Sequence, residues 1–308
     1  MKQLLFALLC FVTLTPIHAQ DTPEPFLEGI VDKFPNVRDI AISPNGNEVI
    51  FSAQSVMGDI SALVSVTKTK AGWSQPKVMS FSGQFFDLEP FFAPDGLQLY
   101  FVSNRPLDNT TTEIKDFDIW VVNRSAVNDT WSAPENLGAP INTSMDEFYP
   151  AITNSGNLYF TLDNPELKQR DNIYVSELKN GKYTTPKALS EGINTVSYEF
   201  NAFVAPDESY LIFSGYNRKD GLGSGDMYIS YNNDGVWSTA KNLTTINSDK
   251  MDYCPFVDTK TNTLYFTSKR LGNYNTTNTK RSLEELKTIF KQFDNGLSRL
   301  YRVKFEGN

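Results

Sequence analysis

Histidine is almost absent from this sequence, which contains a single one, His18, among 308 residues. It lies in an N-terminal segment that has the features of a removable export signal. The mature chain would then hold no histidine, which excludes Ser/His/Asp and Cys/His nucleophile systems, histidine general bases and histidine metal ligands. Carboxylates, tyrosines, lysines, arginines and hydroxyl groups remain for any chemistry.

The export signal is predicted over residues 1–19. Lys2 gives it a positive start, residues 4–15 form an apolar stretch, and Ala19 is a suitable residue for cleavage. A lipid anchor at Cys10 is the alternative, and it is disfavoured because Cys10 lies inside the apolar stretch. No later apolar run approaches the roughly 20 residues of a membrane helix. We therefore expect a soluble periplasmic or secreted protein without a transmembrane segment.

Cysteine is also scarce. Cys254 is left alone once Cys10 leaves with the signal, so no intramolecular disulfide can form. The formal net charge of −8 becomes −9 when Lys2 is removed with the signal, which disfavours nucleic acid and anionic membranes as partners. No convincing metal or cofactor motif is found, and we expect a monomer without cofactors.

A strand signature repeats five times along the chain. It ends in a phenylalanine, and successive phenylalanines are 50, 59, 53 and 53 residues apart at Phe51, Phe101, Phe160, Phe213 and Phe266. Each copy follows a turn rich in Pro, Asn, Asp or Gly, and further strand patterns come after it. Repeats of this length are typical of propeller blades. The sequence therefore predicts an all-β fold, a five-bladed β-propeller of four-stranded antiparallel blades.

The last repeat lacks a fourth strand before the sequence ends at Asn308. Residues 23–34 align with residues 185–196, which contain the fourth strand of another blade. An N-terminal strand that completes the C-terminal blade would close the ring and leave no open edge. Residues 20–308 are thus predicted to form a single domain. Its blades are expected at about 37–80, 87–143, 147–195, 199–248, and 252–308 together with 23–34.

Three motifs identify the type of repeat. The turn APDG at 93–96, the run LYFVSNR at 99–105 and the triplet DIW at 118–120 resemble the WD40-like repeat of TolB-type propellers. The resemblance covers all five units, from about residue 23 to the end, although the namesake has six blades and a separate N-terminal domain. It implies an exported propeller, and it says little about function because propellers host many tasks.

An acidic residue stands immediately before the first strand in four of the five repeats, at Asp87, Glu147, Glu199 and Asp252. Carboxylates near the axis of a propeller are compatible with a glycan-active hydrolase that needs no histidine. Catalysis requires residues in distinct roles, however, and a carboxylate repeated at one place is more typical of a cap on backbone amides. Both interpretations stay open, with the cap preferred.

The longest loops join strand 2 to strand 3 of each blade, and they open on one face together with the blade-to-blade connections. Candidate partner-binding residues in these loops are Arg105, Asp116, Arg170, Arg218, Lys269 and Arg270. Arg105 and Arg218 are predicted to pair with Asp118 and Asp226, which open the following strand. Arg170 and Lys269 are candidates for recognising an acidic group.

The last of these loops contains a helix signal. Ser282 and Glu285 form a capping box, and Leu283, Leu286, Ile289 or Phe290, and Phe293 form an apolar stripe. The stripe either packs as a lid on the propeller or docks a partner through Leu286 and Phe290. Taken together, the residues favour a non-enzymatic binding or scaffolding protein of the cell envelope, with a protein or glycan partner on the long-loop face. The alternative is the carboxylate-dependent glycan hydrolase.

Overall fold

The structure, a computed structural model, describes residues 22–108, 110–168, 171–272 and 279–307. Five small antiparallel sheets form a ring around a central axis, which confirms the predicted five-bladed propeller. The predicted signal at residues 1–19 and the candidate Arg170 lie outside the described residues. Within those residues, no helix is both long and apolar enough to cross a membrane.

Each blade is numbered in chain order, and its strands run from the axis outwards. Blade 1 contains β2 (Asn36–Ile42), β3 (Glu48–Gln54), β4 (Ser61–Thr69) and β6 (Lys77–Val78), with β5 (Gly72–Trp73) beside β4. Blade 2 contains β7 (Asp87–Phe92), β8 (Gln98–Ser103), β9 (Asp118–Asn123) and β10 (Glu135–Asn136). Blade 3 contains β11 (Asp146–Ile152), β12 (Leu158–Asp163), β13 (Asp171–Ser176) and β16 (Lys187–Ala188), and the hairpin of β14 (Leu178–Lys179) and β15 (Lys182–Tyr183) follows β13. Blade 4 contains β17 (Tyr198–Val204), β18 (Tyr210–Tyr216), β19 (Gly225–Asn233) and β21 (Lys241–Asn242), with β20 (Val236–Trp237) beside β19. Blade 5 contains β22 (Asp252–Asp258), β23 (Thr263–Ser268), β24 (Arg299–Lys304) and β1 (Glu24–Pro25). A 3-10 helix (Val31–Lys33) and helix α1 (Leu283–Phe290) complete the described elements.

The N-terminal strand completes the last blade, as predicted. Glu24 and Pro25 of β1 pair antiparallel with Arg302 and Tyr301 of β24, and the amide of Phe26 donates to the carbonyl of Leu300 at 2.9 Å. Proline is tolerated in β1 because this outer strand has a free side that needs no amide donor. Only two residues of the predicted segment 23–34 pair in this way, and the chain then turns through the 3-10 helix towards blade 1.

The innermost strand of every blade carries a β-bulge, seen as a register shift between strands 1 and 2. One residue in each bulge has a positive φ of 51–55°, a conformation that non-glycine residues seldom adopt. These five residues are Asp39, Glu89, Tyr149, Asn201 and Cys254. The bulge turns one side chain per blade towards the common axis, so the fold itself assembles a ring of five side chains.

The two faces of the ring differ. The long-loop face carries the strand 2 to strand 3 loops and the blade-to-blade connections, and the hairpin face carries the remaining turns. Near the hairpin face the axis is apolar, because Phe256 of blade 5 packs against Phe91 of blade 2 and Phe203 of blade 4 at ring distances of 6.2 and 5.6 Å. A cavity of about 280 Å³ opens beside these rings.

Candidate functional site

The five bulge residues meet in a buried polar group on the axis, which we call the axial cluster: Asp39, Glu89, Tyr149, Asn201 and Cys254, with Arg38 beside them. Hydrogen bonds between blades that are not neighbours show that these side chains reach the axis. The amide of Asn201 donates to Glu89 at 3.1 Å, and the Tyr149 hydroxyl donates to the carbonyl of Pro255 at 2.9 Å. The cluster thus links the blades across the centre of the ring.

Backbone amides of the bulges are bound by the preceding blade. The amides of Asp39, Glu89, Asn201 and Cys254 each donate to a strand 2 hydroxyl, from Thr267, Ser52, Thr161 and Ser214 respectively, at 3.1–3.3 Å. In blade 3 the amide of Tyr149 instead donates to the carboxylate of Glu89 at 2.7 Å. The matching place in blade 2 is Val102, which directly follows Phe101 and has no hydroxyl. For the bulge of blade 3, the Glu89 carboxylate of blade 2 therefore takes the place of the strand 2 hydroxyl that binds the bulge amide in the other blades.

Arg38 lies on the long-loop side of the cluster. Its Nε donates to Asp39 at 2.8 Å and its Nη2 donates to Glu89 at 2.7 Å, and its guanidinium lies over the ring of Tyr253 at 5.4 Å. Its side chain is 21% exposed, whereas Asp39 and Glu89 are buried. Arg38 therefore separates the two carboxylates from solvent at the mouth of the axis.

Two buried carboxylates share this one guanidinium. Burial raises the pKa of Glu89 to about 8, and Arg38 only partly opposes the shift. Near neutral pH the axial cluster carries little net charge, because a proton bound by Glu89 leaves one carboxylate to balance the Arg38 guanidinium. Burial also raises the pKa of the Cys254 thiol well above its usual range, so this cysteine lacks the thiolate character of a nucleophile.

The predicted acidic residues Asp87, Glu147, Glu199 and Asp252 are all fully buried. The hydroxyls of Thr143, Thr195 and Ser248 donate to Glu147, Glu199 and Asp252 at 2.6–2.7 Å, and the backbone amides of the same residues donate as well. Asp87 accepts from the Ser82 hydroxyl at 2.7 Å. These contacts fix the blade-to-blade turns, which favours the cap interpretation over a hydrolytic one.

The loop arginines pair differently from the prediction. Arg105, Arg218 and Arg270 bind Asp87, Glu199 and Asp252 of the same blade, at 2.6, 3.4 and 2.8 Å. The expected partner Asp118 binds Lys115 and Asn136, and Asp226 accepts from the amides of Leu222 and Gly223. The prediction was wrong because it linked the two ends of one loop, whereas the arginine crosses from strand 2 to the adjacent strand 1.

The other candidates on the long-loop face are more accessible. Asp116 is half-buried and pairs with Lys115 at 2.8 Å, and Lys269 is exposed. The capping box of Ser282 and Glu285 is formed at the start of α1. The helix ends at Phe290, before Phe293 packs edge-on against Tyr301 of blade 5 at 5.4 Å.

The apolar stripe of α1 is therefore divided between two roles. Phe293 is buried, Leu286 is half-buried, and Phe290 is 68% exposed. Phe293 attaches the end of the segment to blade 5, so the lid interpretation holds for this residue. The exposed Phe290 faces solvent and fits the docking interpretation.

Exposed large apolar side chains are concentrated on this same face. Of sixteen in the described residues, only Val78, Val127, Leu178 and Val236 lie elsewhere. The other twelve are Val56, Met57, Ile60, Leu107, Ile114, Leu167, Val196, Tyr216, Leu222, Leu271, Leu283 and Phe290. All five blades contribute to this set, which we call the apolar rim.

The axial cluster was missed from the sequence, although a signal exists. Each bulge residue follows the acidic column by two positions, as Glu89 follows Asp87 and Cys254 follows Asp252. The five positions hold five different residues, Asp, Glu, Tyr, Asn and Cys, so a search for repeated residue types does not find them. The available signal is their constant position, two residues after the acidic column.

No family model and no curated protein matches the chain. Among solved structures, a GH43 endo-arabinanase from Bacillus licheniformis is 13% identical over 87% of this chain and 93% of its own, with a TM-score of 0.50. An α-L-arabinofuranosidase from Lactobacillus brevis is 12% identical over 89% and 94%, at 0.47. TolB from Acinetobacter baumannii is 14% identical over 87% of this chain, which spans 54% of that protein, at 0.46. At such identities the likeness concerns the propeller fold alone.

Proposed function

We propose that this chain is a non-enzymatic binding propeller that docks a protein partner on its long-loop face. The observation that carries the proposal is the apolar rim, which places twelve exposed large apolar side chains on that face. Exposed large apolar side chains gathered on one face of a protein offer surface that a partner protein can cover. Loops presented by a rigid scaffold are also where recognition residues concentrate.

The state of the carboxylates supports binding over hydrolysis. Asp87, Glu147, Glu199 and Asp252 are buried and hold backbone turns. On the axis, Asp39 and Glu89 are bound by Arg38. A glycosidase needs two carboxylates that reach a substrate, one of them beside a water molecule or the sugar ring. These six residues are instead engaged within the protein.

The composition of the apolar rim favours a protein over a glycan or a nucleic acid. It consists mainly of aliphatic residues and Met57, with only Tyr216 and Phe290 as aromatic members. Aliphatic side chains offer apolar surface that a partner protein can cover, and they cannot form the hydrogen bonds that the hydroxyl groups of a sugar require. The net charge of −8 opposes binding to nucleic acid or anionic lipid.

Export remains part of the proposal. Residues 1–19 have the features of a signal peptide, and the mature protein would act in the periplasm or outside the cell, as a monomer that meets its partner there. Its buried ion pairs and apolar core provide stability without a disulfide, since Cys254 is free and buried.

The test compares charges introduced on the two faces. Ile60→Glu, Leu107→Glu and Phe290→Glu each change an exposed residue of the apolar rim. Val236→Glu is the matched control, because Val236 on the hairpin face is 69% exposed and Ile60 is 70% exposed. Proteins cross-linked to the purified wild-type chain in its own envelope extract are identified, and each is then titrated against the four variants.

We expect a partner whose affinity falls at least tenfold with the rim variants and changes less than twofold with Val236→Glu. Circular dichroism checks that all four variants fold. A partner that binds the rim variants and the wild type equally would exclude the long-loop face as the docking surface. Release of reducing sugar from a polysaccharide panel by the wild type would favour the hydrolase instead.

A further inference from the structure

A groove of about 760 Å³ lies between blades 1 and 2, on the outer side of the ring, away from the axial cluster and the apolar rim. Strands β4 and β6 of blade 1 form one wall, and the chain between β9 and β10 of blade 2 forms the other. The volume is within the range of ligand-binding clefts.

The sequence explains why a groove forms at this boundary. In three blades the middle residue of the strand 2 signature is a tyrosine that packs towards the next blade. Tyr100 reaches Tyr183, Tyr159 packs against Trp237 at 6.3 Å, and Tyr265 contacts Phe26, which packs against Trp73. In blades 1 and 4 the same position is isoleucine, Ile50 and Ile212, so at the boundary between blades 1 and 2 no tyrosine ring fills the gap.

Arg124 directly follows β9 of blade 2 and lies in the wall of the groove. Its Nε donates to the carbonyl of Gly96 at 2.9 Å, its Nη1 donates to Glu48 at 2.9 Å, and its guanidinium stacks on Trp131 at 4.2 Å. The side chain is only 3% exposed, and Nη2 has no hydrogen-bond partner among the described residues. A fixed guanidinium with an unused donor has unmet hydrogen-bonding capacity that a carboxylate can satisfy.

The groove is basic within an acidic protein. Lys68, Lys77 and Arg124 line it, against Glu48 and Asp129. Because Arg124 and Glu48 pair with each other, the positive excess comes from the two lysines against Asp129. The amides of Asn45, Asn47 and Asn128 and several hydroxyls add donors and acceptors along both walls. The hairpin residues 125–130 beside Arg124 are exposed throughout, whereas Nη2 itself is buried, so binding at Nη2 requires a displacement of this segment.

We propose that this groove binds an acidic carbohydrate through its carboxylate. The carboxylate would accept from Arg124 and lie near Lys68 and Lys77, and the sugar hydroxyls would bind the asparagine amides. The cations select an anion, and the array of neutral polar groups favours a ligand rich in hydroxyls over a bare anion or a peptide. This site is independent of the partner surface proposed above.

Lys77 has a matched control within the repeat. Lys77 pairs with Ser65 in the outer strand of blade 1, and Lys187 pairs with Val175 at the same place in blade 3. Both lysines are exposed. The double variant Lys68→Ala/Lys77→Ala therefore removes the groove charges without touching the buried Arg124, and Lys187→Ala removes an equivalent charge elsewhere.

Calorimetric titration with digalacturonate, using neutral digalactose and a diglutamate peptide as comparison ligands, tests the proposal. We expect digalacturonate to bind the full chain, the double variant to bind about tenfold more weakly, and Lys187→Ala to stay within twofold. Both comparison ligands should bind at least tenfold more weakly than digalacturonate. Absence of digalacturonate binding, equal binding of either comparison ligand, or an equal loss with Lys187→Ala would each overturn it.

Discussion

Arg38 of blade 1 and Glu89 of blade 2 are joined by a hydrogen bond of 2.7 Å from Nη2 to Oε1, on the axis of the propeller. Glu89 also accepts from Asn201 of blade 4 and from the amide of Tyr149 in blade 3. One carboxylate thus connects all of these blades. Because it is buried and shares Arg38 with Asp39, its protonation and the stability of the fold depend on each other.

Protonation of Glu89 should make stability depend on pH. Its pKa is raised from 4.5 to about 8 by burial, so the folded chain holds this proton more tightly than the unfolded chain does. The stabilisation is complete below about pH 4.5 and is lost as the pH rises through about 8. We expect the urea midpoint of the wild type to fall between pH 6 and 9, and Glu89→Gln to flatten that fall.

Glu191→Gln, at an exposed position, serves as the control and should keep the wild-type slope. Burial also raises the pKa of Glu147 to about 7, so some slope remains in Glu89→Gln and should decrease further when Glu147→Gln is added. An unchanged slope in the Glu89 variant would contradict the assignment.

The buried pair of Arg105 and Asp87 should be far more important to stability than a surface pair. Arg105→Met leaves the fully buried Asp87 carboxylate without its guanidinium, which is expected to cost about 3–5 kcal/mol of unfolding free energy. Lys287→Met removes the exposed partner of Glu284 on α1 and should cost less than about 0.5 kcal/mol. Chemical denaturation of both variants measures the difference, and similar losses would refute it.

Phe290 and Phe293 should differ strongly in their contribution to stability. Phe293→Ala removes a buried ring that packs on Tyr301 and is expected to destabilise the chain by about 3 kcal/mol. Phe290→Ala changes an exposed ring and should alter stability by less than about 0.5 kcal/mol. Thermal unfolding monitored by calorimetry distinguishes the two, and equal shifts in midpoint would show that the stripe of α1 acts as a unit.

The segment that contains β1 should contribute more to the stability of the fold than its two paired residues indicate. Phe26 follows β1, is buried, and contacts both Tyr265 of blade 5 and Trp73 of blade 1. Phe26→Ala is expected to cost about 3–5 kcal/mol. Hydrogen exchange should then increase most in β24 and β4, at the boundary that Phe26 joins. Faster exchange confined to blade 3 would be inconsistent with this role.

Sequence reasoning reached the fold because the propeller repeats its signal. The spacing of Phe51, Phe101, Phe160, Phe213 and Phe266 predicts five blades, and the alignment of residues 23–34 predicts the closure by β1. Repeated apolar residues at fixed spacing reflect the local periodicity of strands, which the sequence displays directly.

The axial cluster could not be predicted by the same reasoning. Asp39, Glu89, Tyr149, Asn201 and Cys254 have no residue type in common, and they meet only because five bulges direct them to one axis. The pairing of Arg105 with Asp87 depends on which neighbouring strand a long side chain crosses, and sequence order does not specify that. Both features arise from three-dimensional convergence and not from any local pattern.

Because β1 pairs with β24, the order of the strands within blade 5 differs from their order along the chain. Blade 5 is built from strands contributed by opposite ends of the described chain, so its integrity depends on an association between segments and not on a peptide bond. Joining the two ends and opening the exposed turn at Asp234 and Gly235 of blade 4 would give a circular permutant with the same set of strand pairs. In such a molecule blade 4, and no longer blade 5, would be the one that closes the ring.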